Sequence, residues 1–436
     1  MRRCDVAIAG AGPAGTSAAI LLARAGLSVR LVAAVVPRAP TIEGASPRVA
    51  ALLSRFGLAA EGLAPAVPRR AEWGALPAAP NREHPVDRAR FDAALLAQAA
   101  DEGVEVVRAA VARLDPAGGV LTLADGRIVA AGRLVEARGR RAPAADGRCR
   151  GPATLAIVAP DADPVRDGTR LRARAAGWTW RAGQPDGRGV VQVVTDPAGR
   201  GREGLAVAWA RVTGDPLPDG ATATAAEMRL TAPDLDPACL RLGDAAIAID
   251  PLSGHGLFWA LSSALMLPPI LAALEAGEVS LARRFWRDRA AATFWRQARV
   301  GRDLHRMAGL SGPFWEARAA WPDDAPAHAE VARPALRRKF GDAFPDHGGK
   351  IGFDHRIAGD RIMQALNDRP FKRGIEGDDG QAGVRRADAA NDQRAKIGAH
   401  PLDQPVMFLR LLHRARQAGQ DRQGVADGDA ILQQRA

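Results

Sequence analysis

The apolar positions near the start of the chain fall into short runs separated by turn residues. An apolar run at residues 6–9 is followed by a glycine cluster, by a helix-like stretch at residues 16–25 and by a second apolar run at residues 27–32. Short apolar runs that are bounded by turns are typical of buried strands. The order strand, turn, helix and strand therefore predicts the beginning of a parallel α/β fold.

Later runs extend this pattern and then change it. Residues 90–100 have helical spacing, and residues 104–107 form a strand-like run. Residues 120–123 and 127–130 flank an Asp-Gly pair, which is typical of a hairpin turn. After residue 152 short strands separated by Pro and Gly predict an antiparallel sheet. The clearest of these strands are residues 155–158, 170–175 and 190–195.

The glycine cluster after the first predicted strand is Gly10-Ala11-Gly12-Pro13-Ala14-Gly15. The first glycine allows a tight turn, the second lets backbone N–H groups approach a pyrophosphate, and the third lets helix and strand pack closely. This context predicts a dinucleotide site. A carboxylate usually ends the second strand and binds the ribose, but Ala33 and Ala34 occupy that place, so other groups must bind the ribose.

A second cluster, Gly199-Arg200-Gly201-Arg202-Glu203-Gly204, matches the same glycine spacing. It follows the predicted strand at residues 190–195 only after Asp196-Pro197-Ala198, which is turn chemistry. We therefore expect a loop here and one dinucleotide fold in the chain. A nicotinamide donor would then bind transiently or not at all.

Two further motifs stand close together in the second half of the chain. Residues 239–242 predict a strand that ends in Gly243-Asp244, and Asp250-Pro251-Leu252-Ser253-Gly254-His255-Gly256 opens a long apolar helix. An aspartate at a strand end can hold the ribityl hydroxyls of a flavin. A glycine-rich helix start directs free N–H groups at the negative edge of a reduced flavin, and Gly254 lets the backbone reach its reacting face. The pair therefore predicts a flavin dinucleotide.

These motifs resemble those of the flavoprotein monooxygenases with the para-hydroxybenzoate hydroxylase architecture, and especially the branch of the tryptophan halogenases and geranylgeranyl reductases. Glu43-Gly44-Ala45-Ser46-Pro47 resembles a Gly-Glu-Ser segment near the flavin, with Glu and Gly in altered order. Residues 84–92 are similar to the family's Val-x-Arg-x-x-Phe-Asp helix start, and residues 135–140 to a strand followed by Asp-Ala-x-Gly-Arg. Residues 177–180 are similar to the halogenases' Gly-Trp-x-Trp segment, without the Ile-Pro that follows it there.

The resemblance implies FAD as the cofactor and no metal. It implies an α/β protein with a Rossmann-like FAD-binding domain, an antiparallel β-sheet substrate domain and a C-terminal helical region. Arg88 would contact the flavin. The full set of implied cofactor-binding residues is Gly10, Gly12, Pro13, Ala14, Gly15, Ser46, Arg88, Val111, Gly243, Asp244, Pro251, Gly254 and Gly256.

The expected domain order follows from these anchors. The apolar periodicity breaks up after about residue 341, which is typical of a polar, poorly ordered tail. The expected parts are residues 1–150 and 239–275 for the FAD-binding domain, 151–238 for the substrate sheet, 276–340 for a helical region and 341–436 for the tail.

Residues 250–265 are similar to those of the flavoprotein monooxygenases that hydroxylate a peptidyl tryptophan while a tryptophylquinone cofactor matures. This similarity implies hydroxylation of an electron-rich aromatic ring through a flavin 4a-hydroperoxide. Its substrates would be molecular oxygen and a tryptophan-containing protein or peptide. NAD(P)H or a separate flavin reductase would supply the electrons.

Three other functions stay open. The chain is either that monooxygenase, a flavin reductase acting on an isoprenoid double bond, a flavin-dependent halogenase, or a flavin-holding maturation partner without catalysis. Halogenases resemble one another in a catalytic lysine, but this chain has no lysine before Lys339. Arginine replaces it poorly because the guanidinium stays protonated. Halogenation is therefore disfavoured.

Few side chains offer acid–base chemistry. His255, whose ordinary pKa is about 6.5, either relays a proton at the flavin or only caps the helix or faces solvent. Trp178 and Trp180 stand two residues apart, so on a strand both side chains face one way. They either line the substrate pocket or pack in the sheet core. His84 and Glu43 are weaker candidates.

Composition limits the partners. The chain has 436 residues, a formal net charge of +11 and an aromatic content of 5%. The charge favours an acidic partner, but the arginines are scattered and few aromatic rings are available for base stacking, so nucleic acid is not expected.

Three cysteines without disulfide or zinc spacing, and a start that passes directly into the first strand, favour a cytoplasmic location. Residues 257–274 are apolar but contain Pro268-Pro269, which favours a buried helix over a membrane span.

Overall fold

A computed structural model describes residues 3–34, 41–74, 81–143, 148–166, 168–184 and 186–327. The chain divides into two units, Met1–Ala343 and Phe344–Ala436. All structural statements below concern the first unit. Lys339 and the expected tail at residues 341–436 lie outside the described residues.

Strands and helices alternate at the start of the chain, and short strands dominate its middle. The strands are β1 Cys4–Ala9, β2 Val29–Ala33, β3 Ile42–Ala45, β4 Val67–Glu72, β5 Asn81–Asp87, β6 Glu105–Arg108, β7 Val111–Asp115, β8 Val120–Leu123, β9 Ile128–Glu136, β10 Cys149–Arg150, β11 Leu155–Pro160, β12 Thr169–Arg174, β13 Gly177–Gly183, β14 Gly189–Thr195, β15 Thr222–Ala225, β16 Arg229–Leu230, β17 Cys239–Arg241 and β18 Ile247–Ala248. The helices are α1 Pro13–Arg24, α2 Pro47–Phe56, α3 Arg88–Asp101, α4 Gly201–Thr213, α5 Gly256–Glu275, α6 Val279–Trp286, α7 Ala292–Met307 and α8 Pro313–Ala320.

The first sheet is the predicted parallel α/β sheet. Its strands lie in the order β6-β2-β1-β9-β8-β7, and β17 pairs with β9 along the edge opposite to β1. The pairs of β1 with β2 and β9 are parallel, and β8 and β9 form the expected hairpin. The apolar residues of these strands are buried, so the apolar runs in the sequence form the core around this sheet. This order places the ends of β1 and β17 at one edge of the sheet, on either side of β9.

The second sheet takes strands from both halves of the described chain. Its order is β15-β11-β14-β13-β12-β4-β5-β3. Most of its pairs are antiparallel, as expected, but β4 pairs with β12 in parallel. Three of its strands therefore come from residues 42–87, before the expected start of the substrate sheet at residue 151. The sequence pattern missed them because β3 and β4 are short and polar on alternate positions.

The second sheet is packed on both faces. Ile157 and Val193 pack on one face with Trp209 of α4, while their chain neighbours Ala156 and Val194 pack on the other face with the tryptophans of β13. This alternation is the ordinary two-residue period of a strand. The second face is the one that lies toward the loop at Leu252.

The prediction of a loop at Gly199 to Gly204 is wrong, because a helix begins within this segment. Gly199 and Gly201 have φ of 146° and 65° and make a turn, and α4 begins at Gly201. The burial of Trp209 and Val212 against the sheet stabilises this helix. Its apolar positions 205, 208, 209 and 212 carry the helical spacing that the turn residues obscured. Because β14 lies in a largely antiparallel sheet, α4 does not create a second dinucleotide fold.

A third, small sheet and a group of helices complete the described fold. Strand β16 pairs with β10 and β18. Helix α5 packs on α1 and α2, and α6 continues through a π-helical segment, Arg287–Ala291, into α7. Among the described residues, a single helix, α5, has the length and apolar character needed to cross a membrane. In this fold 72% of its most apolar stretch is buried inside the protein. The expected buried helix is therefore present.

Cysteine chemistry is simple in this fold. Cys4 and Cys239 are buried in β1 and β17, as predicted, and all three cysteines are free thiols. Burial raises the pKa of the Cys239 thiol to about 11, so it stays protonated at neutral pH. Within the described ranges, no group of three His, Cys, Asp or Glu side chains is placed to hold a metal ion.

Candidate active site

The turn between β1 and α1 is shaped by two of its glycines. Gly10 has φ of 110°, and a Cβ on it would lie 2.5 Å from the carbonyl oxygen of Ala137. A Cβ on Gly15 would lie 2.0 Å from the carbonyl oxygen of Gly10. Neither position has room for a side chain. The sequence therefore forces the close strand-to-helix packing that a dinucleotide turn needs.

Gly12 differs from its two neighbours. A Cβ on Gly12 would meet no protein atom within 4 Å, so the glycine faces open space. Gly12 is also the N-cap of α1, where no side chain caps the helix and Pro13 follows. Free N–H groups at a helix start attract an anion. The protein thus leaves open a space that a pyrophosphate would fill.

A buried ion pair supports this turn from β9. Glu136 is 1% exposed, and its carboxylate accepts hydrogen bonds from Nε and Nη2 of Arg138, at 3.0 and 2.6 Å. Arg138 also donates to the carbonyl oxygen of Val111, at 3.2 Å. This places Val111, a predicted cofactor residue, beside the turn. Sequence reasoning missed Glu136, although a carboxylate inside an apolar strand signals a buried partner.

The Gly-Asp motif lies against the same turn. A Cβ on Gly243 would lie 2.9 Å from the Cβ of Ala14, so only glycine fits there without a shift. Asp244 Oδ2 lies 3.4 Å from Nε of Arg140. Burial raises the pKa of the Asp244 carboxyl group and Arg140 opposes that rise. Hydroxyl donors of a ribityl chain would satisfy this carboxylate.

Arg88 reaches the same region from α3. Asp87 caps α3, and the Arg88 guanidinium bonds Glu43 Oε1 at 2.6 Å and Asp92 at 3.2 Å. Arg88 and Glu43 both lie near enough to act on the pKa of Asp244, in opposite directions. The structure thus brings Arg88, a predicted flavin contact, together with Asp244.

Ser46 is the N-cap of α2, and its hydroxyl oxygen is buried. That oxygen has no hydrogen-bond partner among the described residues. A buried hydroxyl without a partner is costly unless a ligand completes it. The predicted cofactor contact of Ser46 would supply that partner.

The glycine-rich loop is a 3₁₀ turn, Pro251–Ser253, that ends at Gly254 with φ of 62°. The Asp250 carboxylate accepts from the Leu252 amide at 2.9 Å, and the Ser253 hydroxyl donates to the Asp250 carbonyl oxygen at 2.8 Å. Gly256 begins α5, and a Cβ on it would meet no protein atom within 4 Å. The loop therefore presents a helix start to open space, as a flavin edge requires.

His255 is the N-cap residue of α5 but caps it with no side-chain hydrogen bond. Its Nδ1 atom is buried and has no partner among the described residues. Burial, followed by the charge of Arg48, lowers the pKa of the imidazole. His255 is therefore neutral at neutral pH, with ring nitrogens able to accept or donate one proton. The proton relay by His255 therefore stays a prediction. The alternative, that His255 caps α5, has no side-chain hydrogen bond to support it.

The tryptophan pair lies on one face of β13, as predicted. Trp178 is 1% exposed and Trp180 is 4% exposed, and both pack in a cluster with Trp73, Trp315 and Leu252. The Trp180 Nε1 donates to Glu83 at 2.8 Å. Both rings pack in the core of the sheet. A role of the pair in lining the substrate pocket stays a prediction.

Several polar residues near these tryptophans were not predicted from the sequence. Glu83 is 4% exposed and also accepts from the Thr169 hydroxyl, and Arg69 lies between Glu83 and the loop. Their signal was weak, because both stand on short strands with alternating polar positions. His84, in contrast, contacts the carbonyl oxygen of Ala64 at 2.8 Å and supports the chain fold there.

His305 on α7 was not a sequence candidate. Its Nδ1 lies 2.7 Å from the Gly301 carbonyl oxygen. A carbonyl oxygen only accepts, so Nδ1 carries the proton and Nε2 is the acceptor. Nε2 is buried without a partner among the described residues, and it lines a small cavity with Asp250 and Arg318. Nothing in the sequence distinguishes it from an ordinary helix residue.

The assembled residues fit FAD. Gly12 faces open space at the start of α1, Ser46 has a buried hydroxyl without a partner, and Asp244 has a raised pKa beside them. Four of the predicted cofactor residues thus come from distant parts of the sequence to one region: Ala14, Arg88, Gly243 and Asp244. Gly10 to Gly15 would hold the pyrophosphate, Asp244 the ribityl chain and the Pro251–Gly256 segment the ring edge.

Comparison with known proteins supports this interpretation. A family model described as an FAD binding domain matches residues 3–109. The solved structure of the peptidyl tryptophan dihydroxylase QhpG, essential for tryptophylquinone cofactor biogenesis, is 36% identical, with a TM-score of 0.66 over 74% of this chain and 80% of that one. No curated sequence matches the chain significantly.

Two flavin-dependent halogenases share the fold at lower identity. CmlS is 20% identical with a TM-score of 0.59, over 84% of this chain and 78% of that chain. A halogenase from Xanthomonas campestris is 16% identical with a TM-score of 0.58, over 97% and 96%. These two likenesses show the fold alone. The predicted fold class, the FAD cofactor and the monooxygenase class are confirmed: the chain belongs to the family of FAD-dependent monooxygenases that includes the peptidyl tryptophan dihydroxylase QhpG.

Proposed function

We propose that this protein hydroxylates a tryptophan side chain of a protein or peptide during the biogenesis of a tryptophylquinone cofactor. The observation that carries the proposal is the 36% identity to QhpG over 74% of this chain. The site described above supports it, because its cofactor region and the tryptophans of β13 both lie beside the Pro251–Gly254 loop.

The cofactor region is proposed to bind FAD and to orient its ring system. FAD, when bound and reduced, supplies the activation of molecular oxygen for transfer to an aromatic carbon. The start of α1 would hold the pyrophosphate through free N–H groups, and Asp244 would accept from the ribityl hydroxyls. The glycines at 254 and 256 let the loop backbone approach the reacting ring edge, which any larger side chain would block.

The tryptophan cluster is proposed to exclude water next to the substrate's aromatic ring. Trp178, Trp180 and Leu252 are at most 4% exposed and pack in one apolar cluster. Apolar and aromatic walls with a few polar groups are typical of small-ring sites. Water exclusion also protects the reactive oxygen species from decay before it meets the substrate.

His255, at the start of α5, is proposed to hold or move a proton. Its lowered pKa keeps the imidazole neutral at neutral pH. A neutral imidazole can accept the proton that the aromatic carbon loses after the new C–O bond has formed. The electrons are proposed to come from NAD(P)H or a separate flavin reductase, and the protein is proposed to act in the cytoplasm.

A direct assay tests the proposal. The purified, FAD-loaded protein is incubated under ¹⁸O₂ with NADPH, a flavin reductase and a peptide that contains one tryptophan, and the peptide is analysed by tandem mass spectrometry. We expect labelled oxygen on the indole ring. A peptide with phenylalanine in place of tryptophan is the matched control. Chloride and bromide are present, so a halogenated peptide would instead support the halogenase alternative.

Flavin oxidation without any labelled peptide, with several tryptophan contexts tried, would contradict the proposal. Because QhpG acts on a peptidyl tryptophan, the contexts should include an acidic peptide as well as a neutral one. The acidic peptide matters here, since the chain has a net charge of +11.

A further inference from the structure

Arg69 lies between the second sheet and the glycine-rich loop. It stands on β4, and its side chain is 15% exposed. Its Nη1 atom lies 3.7 Å from Oε2 of Glu83, and its Nη2 atom donates to the carbonyl oxygen of Leu252 at 3.4 Å. One guanidinium therefore contacts the sheet and the loop at once. No cofactor motif of the sequence includes it.

Glu83 holds this guanidinium from a fixed position. The Glu83 carboxylate accepts from Trp180 Nε1 at 2.8 Å and from the Thr169 hydroxyl. A Cβ on Gly44 would lie 2.6 Å from Glu83 Oε2, so the adjacent strand also leaves the carboxylate no room. A buried carboxylate with several donors is rigid. The position of Arg69 is therefore set by the sheet and not by solvent.

On its other side, the guanidinium lies next to the turn of the loop. A Cβ on Gly254 would lie 3.8 Å from Arg69 Nη1, with no other protein atom within 4 Å. Leu252 is held from its amide by Asp250 and from its carbonyl oxygen by Arg69. Arg69 is thus the described side chain of the second sheet that hydrogen-bonds the backbone of the loop. Its charge also acts on His255.

We propose that Arg69 is a positioning residue: held by Glu83, it fixes the Pro251–Gly254 loop against the substrate sheet and places a positive charge beside the reacting edge of the flavin. The planar fork of arginine suits this task, because it can bond a carboxylate and a carbonyl oxygen in two directions at once. A nearby cation stabilises the negative charge that a reduced flavin carries. The inference rests on the proposed FAD-dependent activity.

Two variants separate the two parts of the role. Arg69→Met removes both the hydrogen bonds and the charge, and Arg69→Lys keeps the charge but loses the fork. Arg70→Met is the matched control, since Arg70 is the exposed neighbour on the same strand. The parent and all three variants are purified both with FAD and without it.

The first readout is amide hydrogen exchange of residues 251–256 in the FAD-free protein. We expect roughly tenfold faster exchange in this segment in both Arg69 variants, because a hydrogen bond to a charged group is lost. Exchange in Arg70→Met stays at the parent rate. The second readout is the midpoint potential of the bound flavin. It falls in Arg69→Met and stays near the parent value in Arg69→Lys.

Parent exchange rates at residues 251–256 in both Arg69 variants overturn the positioning role, and a parent potential in Arg69→Met overturns the electrostatic one. Glu83→Gln is a second route if Arg69→Met folds poorly: it keeps Arg69 but weakens its anchor, and it should speed loop exchange with a smaller change in potential. Neither readout uses a substrate. A failure here therefore leaves the proposed hydroxylation standing, and failure of the peptide assay leaves these measurements valid.

Discussion

Gly243 and Ala14 touch across the candidate site: a Cβ on Gly243 would lie 2.9 Å from the Cβ of Ala14. Ala14 belongs to the first turn of α1, and Gly243 opens the turn that carries Asp244. The pyrophosphate end and the ribityl end of the cofactor region therefore share one wall. Any side chain at Gly243 pushes the two ends apart.

Gly243→Ala should weaken FAD binding and lower stability. The new Cβ meets Ala14, and the residue keeps φ of 54°, which costs an alanine about 1 kcal/mol by itself. Gly277→Ala is the control, because Gly277 has φ of 78° but open space around it. Thermal unfolding should show a loss in both variants, and FAD titration should show a loss in Gly243→Ala only. Equal FAD affinity in the two would contradict the contact argument.

Gly10→Ala and Gly12→Ala should separate fold from cofactor. The first places a Cβ 2.5 Å from the Ala137 oxygen and should destabilise the FAD-free protein, while the second meets no protein atom. We expect Gly12→Ala to keep the parent melting temperature without FAD but to bind FAD more weakly, because its Cβ enters the space left for the pyrophosphate. A parent FAD affinity in Gly12→Ala would place the pyrophosphate elsewhere.

Asp244→Asn should raise the stability of the FAD-free protein at neutral pH and weaken FAD binding. Burial raises the pKa of Asp244, so the folded protein holds this proton more tightly than the unfolded chain and loses stability as pH rises above the ordinary aspartate range near 3.8. The amide removes that loss at neutral pH, and FAD binding weakens by roughly tenfold or more because a charge-assisted hydrogen bond is lost. Melting curves without FAD and FAD titrations at pH 7.5 measure the two effects. A variant that binds FAD like the parent would exclude the ribityl contact.

The sequence predicted those parts of the site that rest on local backbone demands. Gly10, Gly15 and Gly243 each stand where a Cβ would collide with another segment, and such demands leave glycines at fixed spacing. Gly243-Asp244 was predictable for the same reason, as was the hairpin at its Asp-Gly pair. Local pattern and global fold agree at these positions.

Contacts between distant segments were not predictable. Glu83 meets Trp180 across the sheet, and Glu136 becomes buried only because β9 lies in the middle of the first sheet. A single polar residue in a short strand gives no sign of its partner, since register is set by the whole sheet. For α4, turn residues before Gly201 outweighed a helical apolar spacing that only becomes decisive once a sheet face is present.

Acid should destabilise the protein through two buried histidines. Burial lowers the pKa of both His255 and His305, while the unfolded chain keeps the ordinary value of about 6.5. The unfolded state therefore binds more protons as pH falls below that value, and the free energy of unfolding decreases. His305→Gln should lower stability at pH 7.5, because the bond to Gly301 is weakened, yet show a smaller fall between pH 7.5 and 5.5. Parallel pH curves for parent and variant would contradict this assignment.

His255→Gln tests the proton relay. The variant keeps a polar side chain of similar length but cannot exchange a proton near neutral pH. We expect FAD to bind as in the parent and peptide hydroxylation to fall about a hundredfold or more, within the range of acid–base contributions. The rate is measured as labelled peptide formed per FAD under ¹⁸O₂. An unchanged rate would leave His255 with a structural role only.

Gly254→Val should keep FAD bound and abolish hydroxylation. Gly254 has φ of 62°, a conformation that a β-branched residue rarely adopts, so the loop backbone must shift and carry its N–H groups away from the ring edge. The pyrophosphate turn and Asp244 are untouched, so FAD stays. Gly309→Val is the control, because Gly309 has φ of 65° with no atom within 4 Å of a new Cβ and lies outside the loop. Oxygen uptake, hydrogen peroxide and labelled peptide are measured together. Gly254→Val should reduce oxygen to hydrogen peroxide without forming labelled peptide. Labelled peptide at the parent rate would mean that the loop is not part of the oxygenation site.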